Sequence, residues 1–183
     1  IQHGHARNEK DLKSLKLLFA NRFPAEASQA KGFYEKLYLY QSYCWFAFIR
    51  LDFLQYYRYC QKWVDLFTSF PEMLPVETAS YIKGMHNLLN AHFDLRNDQK
   101  FEIPLAQFEA FAKTPAANQH DNFRTHTSIY INSARINQHL IKGTFKEGLQ
   151  LVPEVKEKLQ EYALYVDRHR ILVFNYKIAT LYF

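Results

Sequence analysis

Residues 138–150 read QHLIKGTFKEGLQ. The apolar pair Leu140-Ile141 runs into Lys-Gly-Thr, then an aromatic at Phe145, a glycine at Gly148 and Leu149. Gly143 is placed to end a helix, because glycine enters the left-handed conformation of a helix C-terminus without a Cβ penalty. Phe145 is then expected to wedge between two helices, and Gly148 to let them approach closely. Met once, such a turn is only a surface feature. Met repeatedly, it is the corner of a helical hairpin, and it decides the fold.

Two other stretches have the same plan. Residues 45–67 read WFAFIRLDFLQYYRYCQKWVDLF, and residues 87–111 read NLLNAHFDLRNDQKFEIPLAQFEAF. Each is a helical pattern, a polar corner, a Phe, and a second helical pattern. The corner aromatics are Phe53, Phe101 and Phe145, spaced 48 and 44 residues apart, and Pro71 and Pro115 punctuate the ends of the first two units. Self-similarity at a near-constant period points to stacked hairpins, because one hairpin cannot bury both faces of its helices.

The rest of the chain is helical in spacing too. Leu12, Leu15, Leu18 and Phe19 form one stripe over residues 9–21, which Pro24 is expected to end. Helices are expected over 25–51, 53–70 and 76–96, with Pro75 at the start of the third. Residues 101–113 are helical, with Pro104 either interrupting the helix or lying in its first turn. Asn118 to Asp121 offer caps for a helix to Lys142. Helix resumes at Thr144 or Phe145 and runs to about Tyr165, and Asp167 caps a last helix, 168–183. No stretch alternates as a strand does. The expected fold is all-α, seven or eight helices in one helical-repeat domain. Its hairpins fall at about 25–71, 75–114 and 119–165, with a final helix over 167–183. The missing initiator Met and the uncapped apolar end ILVFNYKIATLYF point to a piece of a longer chain.

Composition agrees. With 48 % hydrophobic residues in 183, a real core is affordable and disorder is excluded; five Gly and six Pro are too few for a turn-rich β-sandwich. No apolar run reaches membrane-spanning length, and the N-terminus has no signal-peptide core. Cys44 and Cys60 sit apart from any C-x-x-C motif and read as buried thiols in a reducing, cytoplasmic setting. The net charge of +5 is spread along the chain rather than gathered in a basic tail.

GTFKEGL, residues 143–149, resembles the hairpin corner of tetratricopeptide repeats: Gly, polar, aromatic, two polar residues, small, Leu. Asn137 to Ile141 resembles the end of the first helix of such a unit. The other corners depart from the motif: Tyr56 stands where a small residue belongs, and Asn97 to Phe101 carries extra residues. The mid-forties period also exceeds the usual repeat of about 34. The resemblance implies a right-handed superhelix of antiparallel helical hairpins. It also implies a protein or peptide segment bound in the concave groove lined by the first helix of each pair.

Catalytic patterns are missing. His86 and His92, like His120 and His126, are six apart, which turns each pair to different sides of a helix. No P-loop, G-x-S-x-G or G-x-G-x-x-G occurs. No enzyme activity, cofactor or metal is therefore expected. The aromatic belt over 33–63 and the polar residues of the first helices supply the candidate partner-binding set: Tyr43, Arg50, Arg58, Asn87, Asn90, Arg124, Tyr130, Arg135 and Asn137. Exposed Tyr and Arg suit a peptide. Two other readings stay open. A nucleic acid would need Arg50, Arg58, Arg124 and Arg135 on one positive face. Self-association would use Ile171, Leu172, Phe174, Ile178 and Leu181 of the last helix.

Overall fold

A computed structural model describes Ala6, residues 8–23 and residues 29–183. Among them every regular element is a helix. The chain divides into two compact units, residues 1–74 and 75–183.

The first unit holds α1 (Glu9–Arg22), α2 (Phe33–Ile49) and α3 (Phe53–Ser69). Asn8 caps α1 by accepting from the Asp11 N–H at 2.9 Å. Pro24, expected to end α1, and residues 25–28, expected to open the second helix, lie outside the described residues; residues 29–32, also expected in that helix, are not α-helical, and α2 starts at Phe33. Glu35 starts α2 by reaching back to the N–H groups of Lys31 and Gly32, at 2.8 and 3.2 Å. The two long helices pack together and bury Leu37, Cys44, Cys60 and Trp63 between them. Both cysteines are buried thiols outside any disulfide, as expected, with sulfurs 3.6 Å apart. Pro71 opens a 3-10 turn, Pro71–Met73, just past α3.

The second unit is built around one helix. It contains α4 (Thr78–Asp94), α5 (Asp98–Ala112), the single turn α6 (Pro115–Asn118), α7 (Asp121–Lys142), α8 (Phe145–Leu149), α9 (Val152–Glu161) and α10 (Arg168–Tyr182). The long α7 packs on α4 and α5, and also on α8, α9 and α10. Asp167 caps α10 as expected, accepting from the Arg170 N–H at 2.8 Å.

Four expectations need correction. Pro75 does not sit at the start of α4, which begins at Thr78 with Glu77 as its N-cap. Pro104 sits inside an unbroken α5; its missing N–H leaves only the carbonyl of exposed Lys100, which water can satisfy. The helix expected from 144 to 165 breaks at Gln150-Leu151, where Pro153 starts α9 afresh. The stripe Phe174, Ile178 and Leu181 of α10 is buried within this chain, whereas Leu172 is exposed.

The three corners share one backbone. Leu51, Arg96 and Gly143 have φ of +57°, +51° and +69°. In each corner the next N–H bonds back five residues: Asp52 to the Ala47 carbonyl, Asn97 to His92, Thr144 to His139, all at 2.9–3.1 Å. This is the left-handed C-cap that satisfies orphan helix carbonyls. The shared corner conformation therefore falls at residues 51, 96 and 143, and Phe53 and Phe145 directly follow the two-residue turn. Phe101 sits a turn deeper, in α5. Phe101 is fully buried, Phe53 half-buried and Phe145 40 % exposed, so Phe145 is not the wedge it was expected to be. Gly148 does permit close approach: a Cβ there would fall 2.8 Å from Leu181 Cδ2 and 2.9 Å from His139 Cβ.

Candidate functional site

The helices that open each helical pair of the second unit, α4 and α7, meet α10 around a pocket of about 260 Å³. Its polar wall comes from His86 and Asn90 on α4, Tyr130 and Ser133 on α7, and Arg170 and Lys177 on α10. Ile129, Val173 and Phe174 supply the apolar wall.

Tyr130 organises the centre. Its ring stacks on His86, centroids 3.8 Å apart and planes at 11°, and the Arg170 guanidinium covers it at 4.6 Å. The Tyr130 hydroxyl accepts from Arg170 at 2.7 Å. Asp167 holds the same guanidinium from outside, 3.1 Å from Nε. His86 Nε2 lies 3.1 Å from the Asn90 amide. Burial, with Arg170 and Lys177 nearby, pushes the His86 imidazole down to about 3, so it is neutral at physiological pH.

Lys177 is the unusual member. Its ammonium donates to Ser133 Oγ at 2.6 Å, and among the described residues no carboxylate lies within ion-pair distance of it. Burial pushes it down to about 8, and Asp94, acting from farther away, offsets that only in part. A buried charge of this kind is expensive unless it is paired.

The expected set is only partly gathered here. Asn90 and Tyr130 line the pocket, while half-buried Asn87 does not. Arg124 and Arg135 line a different pocket of about 220 Å³, together with Thr127, Asn132 and Glu154. There Arg124 pairs with Asp121 at 2.6 Å, and Arg135 bridges Glu109 at 2.8 Å and Glu154 at 3.5 Å. Asn137 is buried in the core, and its Oδ1 has no hydrogen-bond partner among the described residues. In the first unit, Tyr43 stacks on Tyr59 at 4.6 Å, and Arg50 lies over Phe46 and 4.0 Å from Asp52. Arg58 is exposed. Three of the four arginines named for a nucleic-acid face are thus engaged by carboxylates of their own chain.

Sequence reasoning missed His86, Ser133, Arg170 and Lys177. A signal for Lys177 exists: it follows Phe174 by three and precedes Ile178 and Leu181, so it borders the buried stripe of α10. The stacking of His86 on Tyr130 joins helices 44 residues apart in sequence and has no local signature.

Among the described residues no helix is long and apolar enough to cross a membrane, and no cluster of His, Cys, Asp and Glu is arranged to hold a metal ion. No protein-family model, curated protein or solved structure matches the chain.

Proposed function

We propose that the protein is a non-enzymatic scaffold that holds a segment of another protein against the α4, α7 and α10 face of its second unit. One observation carries this reading: helices far apart in sequence present their polar residues to one pocket. The pattern of neighbours supports it as well. Helix α7 packs on both helices of the pair before it, and α10 packs on both α7 and α8. Stacked hairpins would give such neighbours, and in a superhelix built from them the first helices would line the inner face. Half-buried Asn90 and the Tyr130–Arg170 pair supply the orienting polar contacts that such a face needs.

Amide hydrogen exchange of the full chain, alone and with a protein co-purified from its native host, tests the reading. Protection should appear on α4, α7 and α10, and a pocket-filling Val173→Trp variant should lose the partner. Protection confined to other helices, or a partner retained in full by V173W, would end this proposal.

A further inference from the structure

We infer that the group entering this pocket is a single carboxylate on a short aliphatic stem, bound between Lys177, Ser133 and Arg170. The inference rests on the pocket being the occupied face, and it specifies the chemistry of the occupant.

The charge balance of the wall leads there. Arg170 already has its counter-ion in Asp167, 3.1 Å away, and spends another donor on the Tyr130 hydroxyl. His86 is neutral. Exposed His169 stands at the rim. Asp94 acts on Lys177 only from beyond ion-pair distance. What remains unmatched is one ammonium, so the complementary ligand group carries one negative charge. A carboxylate does; a phosphate monoester, at about −1.5 to −2, overshoots.

The donors agree with this count. Lys177 Nζ has three N–H groups, and Ser133 takes one of them. Because the Ser133 oxygen is the acceptor in that bond, its own O–H is free to turn toward the cavity. Two convergent donors on one oxyanion make charge-assisted bonds, roughly twice as strong as neutral ones. The stem of the ligand would lie along Ile129, Val173 and Phe174. A volume of about 260 Å³ suits a side chain or a small acid rather than a folded element.

The carboxylate can belong to a Glu side chain, to a chain terminus or to a free short-chain acid, and the experiment separates these. Chemical-shift titration of the full chain with butyrate should give saturable shifts in residues 129–133 and 170–177, and isosteric butyramide should give none. An end-blocked peptide with one internal Glu tests the side chain. The same peptide with Gln in that place and a free C-terminus tests the terminus. Binding of butyrate or either peptide that weakens about tenfold or more in Lys177→Gln supports the inference. Should K177Q fold poorly, Ser133→Ala is expected to weaken binding severalfold in a folded background.

Butyramide binding as well as butyrate, inorganic phosphate binding more tightly than any carboxylate, or affinity untouched by both variants would overturn it. The scaffold reading fails separately. A partner that protects α4, α7 and α10 without any dependence on Lys177 leaves the scaffold standing and removes the carboxylate. Butyrate binding in a chain that protects no such face does the reverse.

Discussion

The second and third corners have the same backbone and opposite contents. At the third, a glycine takes the left-handed position and the following aromatic, Phe145, is left 40 % exposed. At the second, Arg96 is held at a φ of +51°, and the aromatic five residues later, Phe101, is fully buried. The corner that best resembles a repeat motif in sequence thus relies on its glycines. The corner that resembles it least relies on its aromatic. Hydrogen bonds to helix-end carbonyls fix the shape of a turn, and side chains only decide how much strain that shape carries and what it buries.

Phe101→Ala should show the contrast at its largest. Emptying a fully buried aromatic site costs about 3–5 kcal/mol, whereas Phe145→Ala, at a site already 40 % exposed, should cost only about 1–2 kcal/mol. Urea melts of the two variants measure both; equal losses would erase the distinction. Gly148→Ala comes next. Its Cβ meets His139 Cβ at 2.9 Å, a contact near the backbone of α7 that cannot swing away, so overpacking of about 1–3 kcal/mol is expected in the same melts. Gly143→Ala has open space around its Cβ and should lose only the left-handed penalty, about 1–2 kcal/mol. The smallest effect has the opposite sign. Arg96→Gly relieves that penalty and gives back about 0.5–1 kcal/mol through a freer unfolded chain, for a net gain of roughly 0.5 kcal/mol. Leu51→Gly should match it, since Leu51 is also exposed and left-handed. A loss in either would mean that these side chains contribute contacts at their corners.

The sequence makes the helical class legible, because the apolar spacing is helical and no strand pattern competes. It also makes Gly143, Gly148 and Asp167 legible, since each carries a residue-specific signature of a helix end or a close approach. Leu51 and Arg96 were not legible as left-handed positions. Neither residue type favours that region, and the tertiary fold imposes it. The misaligned repeat follows directly: aromatics are conspicuous in a sequence, whereas a positive φ on Leu or Arg is silent. Half of the pocket was hidden for a related reason. Asn90 and Tyr130 stood out as polar or aromatic residues on first helices. Lys177 borders the buried stripe of α10 in the sequence, but only the packing of α10 on α7 places it against Ser133.

Gly148 also sets an order of events during synthesis. Its neighbours are His139, nine residues earlier, and Leu181, 33 residues later. The α7–α8 corner can form its local hydrogen bonds as soon as it is made. Its small-residue face meets His139 of α7 at once but lacks its second neighbour, Leu181, until almost the whole of α10 has been made. The corner most recognisable in the sequence is therefore among the last in the second unit to be completed as the chain emerges.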